Sequence, residues 1–363
     1  QNGKDLQLAL DADLQEMTER SLTTWMATAN ASRAAVVALD PRDGSLLAAV
    51  SLPAYDDNVF SGGVSSTVYR ALIDDADQPL FPRAWAGTYP SGSTVKIVIA
   101  AAALADRLIT SETSFVSIGG ISVGPWFFPD WKSGGHGVTN VRKAIAWSVN
   151  TFFYAIGGGY GSFAGMGVDR LEHWLRRFGL GEKTSVDLPA EAAGFVPSRA
   201  WKEKEKGERW FVGDTYNLSI GQGDLLVTPL QVAAYTAAIA RDGQAVRPHV
   251  ALLADGNVHK EPLIDQKTSA VVRQGMRENV LYGSGRSLNS LPFAVSGKTG
   301  TAQWNKEKRP HAWFTSYAPS DHPEIVVTVL LEEGEEGSRV AAPVAKEVLA
   351  KWWQLRRERG GRF

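Results

Sequence analysis

The sequence predicts an α/β chain of the α+β kind, with five antiparallel strands from its two ends sharing one sheet and helices filling the middle. Three observations carry this expectation. β-prone runs at residues 34–39 and 45–52 flank a turn. Three more, at 293–303, 311–318 and 325–332, follow one another near the C-terminus as a meander. Between these groups the apolar residues recur mostly at helical spacing. A chain of 363 residues, 44% of them hydrophobic, is long enough to bury a substantial core.

Taken in order, residues 11–29 place Leu14, Met17, Leu22, Trp25 and Met26 on one helical face behind Asp11 or Asp13 as the cap. Asp40-Pro41-Arg42-Asp43-Gly44 is turn chemistry and joins the first two strands as a hairpin. Residues 58–69 are polar and Gly/Ser-rich and read as loop, and the acids of 74–77 as a solvated turn. Residues 97–105 are apolar almost all round, the mark of a helix buried in a core. Residues 116–129 mix Gly, Pro and aromatics, as short strands or loops do. Residues 140–156 and 169–178 read as helices, the second closed by Gly179. Residues 181–210 read as loop-rich, with the charge run 202–209 as a solvated face. Pro229 opens a helix to about residue 241, and 265–282 is an amphipathic helix ended by Gly283. Residues 340–357 close the chain as a helix whose apolar face is Val344, Val348, Leu349 and Trp352.

Bulk properties exclude several functions. A formal net charge of −1 gives no field for nucleic acid. No cysteine is present, so disulfides, thiolate metal sites and a cysteine nucleophile are excluded. The longest apolar run, residues 97–105, is well short of the roughly 20 residues that span a bilayer. The chain starts at Gln1 with no signal-like segment, and the expectation is a piece of a longer protein whose anchor lies outside it.

Three short motifs carry chemistry. In Tyr89-Pro90-Ser91-Gly92-Ser93-Thr94-Val95-Lys96, Ser93 and Lys96 stand three apart at a helix start, on one face, where an amine can take a hydroxyl's proton. An apolar surround lowers the lysine pKa and favours the neutral base. The N–H groups of the first turn have no intrahelical partner and are free for an oxyanion. Alone, the pair also fits an ordinary cap and a surface lysine. Lys298-Thr299-Gly300-Thr301 falls in the first late strand, where Gly297 and Gly300 would let a ligand backbone lie close. A strand edge with a lysine and two threonines can pair with an extended peptide and hold a carboxylate, though exposed hairpin residues read the same way. Ser148-Val149-Asn150 offers a hydroxyl and an amide for proton relay and carbonyl binding. Capping chemistry produces the same pattern, as at Ser287-Leu288-Asn289.

In this order the three motifs form the signature of penicillin-binding proteins and serine β-lactamases. The chain resembles the transpeptidase domain of a class B penicillin-binding protein nearly end to end. The likeness runs from Leu39-Asp40-Pro41 and Gly44-Ser45-Leu46-Leu47-Ala48 through Tyr55-Asp56-Asp57-Asn58 to Gly297-Lys298-Thr299-Gly300-Thr301-Ala302-Gln303. Asp130-Trp131-Lys132, Gly135-His136-Gly137 and Asn150-Thr151-Phe152-Phe153-Tyr154 resemble the penicillin-binding protein 2 branch, of the elongation machinery, more than the division-type enzymes.

The resemblance implies a single transpeptidase domain over 1–363: a five-stranded antiparallel sheet flanked by helices (about 1–80 and 265–363) plus an all-helical subdomain (about 81–264). It implies a D,D-transpeptidase that cross-links peptidoglycan stem peptides ending in D-Ala-D-Ala, needs no cofactor and is a β-lactam target. A membrane glycosyltransferase of the elongation machinery would be its partner. It would work at the periplasmic face of the bacterial inner membrane, with the membrane helix and a pedestal domain outside these residues.

In that scheme Ser93 is the nucleophile and Lys96 its base. Ser148 gives a proton to the departing amine, Asn150 orients the peptide amide, and Lys298, Thr299 and Thr301 hold the carboxylate on a strand that Gly300 keeps open. The N–H groups of Ser93 and Thr301 form the oxyanion hole. Other readings are a D,D-carboxypeptidase, which shares every motif, a non-catalytic β-lactam sensor, and a β-lactamase. The last would need a deacylating base, and neither Glu191 nor Glu203 lies in a recognisable motif. Asp130 and His136 are either a hydrogen-bonded loop brace or zinc ligands. Relatives that bind zinc there complete the site with a cysteine where this chain has Val149, so the brace is the expectation.

Overall fold

The computed structural model describes residues 5–252 and 261–361. Helix α1 (Ala12–Ala29) begins where the Asp11 carboxylate accepts the Leu14 N–H at 3.0 Å, and it ends at Asn30 in the left-handed region. Strands β1 (Ala34–Leu39) and β2 (Leu46–Leu52) form the expected hairpin. Its turn needs Gly44, whose φ is +94°; a Cβ there would lie 2.2 Å from the Arg247 carbonyl oxygen.

The segment expected to be loop instead forms a 3-10 turn (Asp57–Phe60) and helix α2 (Ser66–Asp74), capped by Ser65 Oγ on the Val68 N–H at 3.2 Å. No residue of α2 is buried, and its apolar residues Val68, Tyr69 and Ile73 stand exposed. Then follow α3 (Arg83–Ala86), the 3-10 turn Gly92–Val95 and α4 (Lys96–Ala105), whose residues from Lys96 to Ala103 are all buried.

The glycine-rich stretch beyond forms two small antiparallel ribbons. Strand β3 (Ser114–Ser117) pairs with β6 (Gly137–Asn140), and β4 (Gly120–Val123) pairs with β5 (Trp126–Pro129). The single helix expected at 140–156 is two, α5 (Val141–Trp147) and α6 (Asn150–Gly158), broken at Ser148. After α7 (Gly167–Arg177) come α8 (Arg199–Lys206) and α9 (Val212–Ser219), in and just after a region that read as loop. The charge run is not wholly solvated either. Lys202 is buried, with its amine 2.7 Å from Asp214 and 5.3 Å from the centre of the Phe211 ring.

Helix α10 (Pro229–Ala240) opens with Pro at its start and a reciprocal cap between Thr228 and Gln231. Helix α11 (Gln266–Leu281), strands β7 (Ser296–Ala302), β8 (His311–Ala318) and β9 (Ile325–Leu331), and helix α12 (Ala341–Glu358) complete the chain close to their expected places. Among the described residues, no helix is long and apolar enough to cross a membrane.

The five long strands form one antiparallel sheet in the order β2-β1-β9-β8-β7, so the hairpin from one end of the chain pairs with the meander from the other. Both faces are covered, and side-chain alternation divides them. Ala34, Val36 and Ala38 of β1 and Ile325, Val327, Val329 and Leu331 of β9 pack with α1 and α12, whose contribution includes Leu349 and Trp352. Ala35, Val37, Leu39, Val326 and Leu330 face the other way, into the core shared with the middle of the chain. Helix α10 lies on that face across β1, β8 and β9. A buried ladder of hydroxyls joins it there: Thr236 Oγ1 to Thr315 Oγ1 at 2.9 Å, and on to Thr328 Oγ1 at 2.8 Å. Strand β7 is left as an edge.

Leu349 is fully buried against the face of the sheet lined by α1 and α12. Leu349→Ala is expected to lower stability to urea by about 2–5 kcal/mol, the usual range for a large-to-small core change. The folded fraction should still react with penicillin at the unaltered rate. A rate that falls in native conditions would show that this layer also shapes the site.

Candidate active site

The edge strand β7 and the turn before α4 meet so closely that side chains would not fit between them. Gly92, at φ +50°, approaches the Thr301 carbonyl oxygen to where a Cβ would be 2.7 Å away. A Cβ on Gly300 would lie 2.9 Å from Thr94 Cγ2 and from Trp313 Cβ. Neighbouring groups fix the turn. The Gly92 N–H donates to the Gly221 carbonyl at 2.9 Å and the Trp313 indole to the Pro90 carbonyl at 3.0 Å. The Tyr235 hydroxyl holds Thr94 Oγ1 at 2.8 Å. Ser93 is thereby set, half-buried, in a 3-10 turn at the wall of a cleft of about 680 Å³. Ser148, Asn150, Thr299, Gly300 and Thr301 line the same cleft, so all three sequence motifs converge on it.

The break between α5 and α6 brings the middle motif into position. Ser148 has φ +56°, and its N–H caps α5 on the Ala144 and Ile145 carbonyls. Its hydroxyl and carbonyl then point at two amines. Lys96 Nζ lies 2.9 Å from the Ser148 carbonyl oxygen, 3.4 Å from Ser148 Oγ and 2.6 Å from Asn150 Oδ1. Lys298 Nζ lies 2.9 Å from the same Oγ and 2.7 Å from the Thr299 carbonyl oxygen.

Neither lysine has exposed surface. Burial pushes the Lys96 amine down to about 7, against a smaller opposing pull from Asp130. Burial first, and the Lys96 charge second, hold Lys298 well below its usual value. The Phe153 ring face, 5.1 Å from Lys96 Nζ, closes the site from behind.

The expected direct contact between Lys96 and Ser93 is replaced here by bonds to Ser148 and Asn150. Among the described residues, no hydrogen bond joins the Lys96 amine to Ser93 Oγ. A neutral amine has two N–H donors and one lone pair. The Ser148 carbonyl and Asn150 Oδ1 use the donors, which leaves the lone pair for a hydroxyl proton from Ser148 or Ser93. Such contacts often tighten only once substrate is bound.

Asp130 and His136 part company. The Asp130 carboxylate accepts from Ser117 Oγ at 2.7 Å, the Thr151 N–H at 3.0 Å and Thr151 Oγ1 at 2.5 Å, which ties β3 and β5 to the start of α6. The His136 ring takes no part in that brace. Both of its nitrogens are buried without a hydrogen-bond partner, and the ring lies 5.2 Å from Trp131 and 6.3 Å from Trp147. Burial lowers its pKa, which favours neutral imidazole. The donor set does not fit a bound metal ion. Both Asp130 oxygens are engaged, Val149 is a hydrocarbon, and among the described residues no three His, Asp or Glu side chains gather as ligands.

The cleft also contains residues to which the sequence assigned no role: Trp131, Trp147, Gln222, Ser284, Arg286 and Arg339. Gln222, between two glycines, donates to the Thr301 carbonyl at 3.3 Å. Ser284 Oγ lies 2.6 Å from Thr299 Oγ1. Trp131 stands inside Asp130-Trp131-Lys132, which carries part of the family likeness, and Gln222, in Gly221-Gln222-Gly223, has the signal of a backbone approached closely. Neither Glu191 nor Glu203 lines the cleft, and Glu191 is spent on Thr184 and Ser185.

Comparison with known proteins gives the same picture. Residues 34–350 match the penicillin binding protein transpeptidase domain. The peptidoglycan D,D-transpeptidase MrdA of Haemophilus influenzae is 38% identical over 381 residues, covering 96% of this chain and 56% of that protein. The chain thus spans little more than half the length of the curated relatives it matches. The crystal structure of Pseudomonas aeruginosa PBP2 in complex with WCK 5153 superposes with a TM-score of 0.87 at 36% identity, covering 97% of this chain and 76% of that one. A structure described as coordinating polymerization and crosslinking in a peptidoglycan synthase complex has a TM-score of 0.88 at 34% identity over 97% of this chain and 63% of that one. With its three motifs in one cleft, its five-stranded sheet and its match over residues 34–350, the chain belongs to the penicillin binding protein transpeptidase domain family.

Proposed function

We propose that this domain cross-links peptidoglycan stem peptides as a serine D,D-transpeptidase of the cell-elongation machinery. The observation that carries the proposal is the pair of buried amines on Ser148 Oγ, at 3.4 and 2.9 Å, in the cleft that Ser93 lines. Lys96, neutral near physiological pH, takes the Ser93 proton directly or through Ser148. Ser93 Oγ attacks the penultimate D-Ala carbonyl carbon, and the N–H groups of Ser93 and Thr301 meet the oxyanion.

The amide bond then breaks, Ser148 gives the leaving D-Ala nitrogen its proton, and the acyl group remains on Ser93. Asn150 orients the peptide amide and the β7 edge carries the peptide backbone, with Thr299 and Thr301 toward its carboxylate and Gly300 keeping the approach open. The amine of a second stem peptide attacks the ester and returns a proton to the Ser93 oxygen. β-Lactams would stop the cycle at the acyl-enzyme.

Several features support the wider setting. A relative of 38% identity carries the transpeptidase description, and a related structure belongs to a complex of polymerization with crosslinking. We accordingly place the whole protein at the periplasmic face of the inner membrane, beside a membrane glycosyltransferase. Within the domain, Asp130 serves as a metal-free brace for the start of α6.

Ser93→Ala is expected to abolish the covalent adduct with labelled penicillin, read by mass spectrometry. Incubation of the unaltered protein with D-Ala-D-Ala stem peptides and an acceptor should give dimers. Hydrolysis alone would mark a carboxypeptidase, and prompt loss of the penicillin adduct a β-lactamase.

The pH profile has a definite sign. The base works deprotonated, so acylation should rise about tenfold per pH unit below the Lys96 pKa of about 7 and level off above it. A rise that continues toward pH 10 would remove Lys96 from this role. Lys96→Arg, which keeps its proton, should slow acylation by about 10²- to 10⁴-fold.

Asp130→Ala leaves three donors without an acceptor and should cost about 2–4 kcal/mol of stability, with slower acylation. Chelator should change neither Tm nor acylation of the unaltered protein. A drop in Tm, with stoichiometric zinc in the untreated sample, would overturn the brace.

A further inference from the structure

The donor peptide ends in a carboxylate, and the amine expected to meet it is committed elsewhere. Lys298 lies beneath the wall of the cleft without exposed surface, its nitrogen engaged by Ser148 Oγ at 2.9 Å and the Thr299 carbonyl at 2.7 Å. Two other cations face the open space. Arg286 begins the 3-10 turn after α11, Arg339 stands just before α12, and both line the cleft with Ser93 and Thr301. Among the described residues, neither guanidinium has a carboxylate within ion-pair reach or a hydrogen-bond acceptor. Among the described residues, the one acid lining the cleft is Glu336.

Both arginines sit on loops that rest against the Lys-Thr-Gly strand. On the first, Ser284 Oγ lies 2.6 Å from Thr299 Oγ1. On the second, Gly337 packs so tightly that a Cβ would be 2.4 Å from the Gly300 carbonyl oxygen. The hydroxyl chain on the first loop also has a direction. Asn279 Nδ2 donates to Ser284 Oγ at 2.8 Å and to the Ala146 carbonyl at 2.8 Å, which fixes the amide orientation. Ser284 can then give its proton to Thr299 Oγ1, and the Thr299 proton is left for an incoming acceptor.

We propose that Arg286 and Arg339 supply the fixed positive charge that seats the terminal carboxylate of the donor peptide, with Thr299 and Thr301 as its neutral donors. Lys298 is then kept for the chemistry at Ser148. The proposal rests on the transpeptidase reading above and names the carboxylate seat within it. Guanidinium suits the task because it stays charged and presents a planar fork of donors to a carboxylate.

The test compares acylation of Ser93 by benzylpenicillin, whose free carboxylate stands in for that of the peptide, with acylation by its methyl ester. The full chain is used, as the wild type and as Arg286→Ala, Arg339→Ala, the double variant and Glu336→Gln. Each arginine change should slow the acid by about three- to tenfold, as expected for a charge in a partly solvated cleft, and leave the ester nearly unaffected. Added salt should slow the wild type with the acid and affect the double variant little. Glu336→Gln should speed the acid slightly.

Equal loss with acid and ester, or no loss in the double variant at unchanged Tm, would overturn the seat. A wild type that forms no Ser93 adduct with benzylpenicillin would instead sink the transpeptidase reading on which the seat depends.

Discussion

Two lysine side chains with no exposed surface share one hydroxyl, and holding a charge on both is costly. Each amine is within 3.4 Å of Ser148 Oγ. Two unit charges a few ångströms apart at an effective dielectric near 20 repel by about 3–4 kcal/mol, before either pays for leaving water. The cheapest state removes charge, and removing charge leaves a lone pair beside a serine. Packing is thus what would fit Lys96 for the base of the proposed mechanism. The apolar run of α4 carries Lys96 into the core, the Phe153 ring covers it, and the sheet buries Lys298 from the other side. The same condition explains the break at Ser148. Had α5 continued into α6, no single hydroxyl could have faced both amines while its own carbonyl also accepted from Lys96.

Most of the sheet was legible because its strands are buried on both faces and read as β-prone runs bounded by turn residues. β1 and β8 lie at the expected bounds, and β7 and β9 fall within the expected runs. The amphipathic helices α1, α11 and α12 were legible for the matching reason, since one face of each is buried. Helix α2 was not, because the polar, Gly/Ser-rich stretch that leads into it reads as loop and none of its apolar residues, Val68, Tyr69, Leu72 and Ile73 among them, is buried. The break at Ser148 also escaped periodicity, because the residues on both sides are apolar and helix-compatible. Of the site, the three motifs and their shared cleft were legible, whereas the partners of each amine were not. Spacing along a helix says which side chains can meet, and the Lys96 amine took the partners that two distant segments brought within reach. Arg286 and Arg339 carried no motif at all.

The sheet order supplies the last requirement. Of its five strands only β2 and β7 are edges, and the Lys-Thr-Gly motif is on β7. A central strand would have both ladders filled and could offer an extended peptide nothing, whereas an edge strand offers a second ladder at the risk of pairing with the wrong chain. Here the risk is contained by crowding. The turn carrying Ser93 lies against the strand at Gly300, Gln222 takes the Thr301 carbonyl, and the loop at Gly337 presses on Gly300 from the far side. Thr299, Gly300 and Thr301 of that edge still line the cleft beside Ser93. Glycine at positions 92 and 300 is therefore a condition of the proposed chemistry as much as of the fold, because a Cβ at either would push the turn carrying Ser93 away from the strand on which that proposal lays the donor peptide.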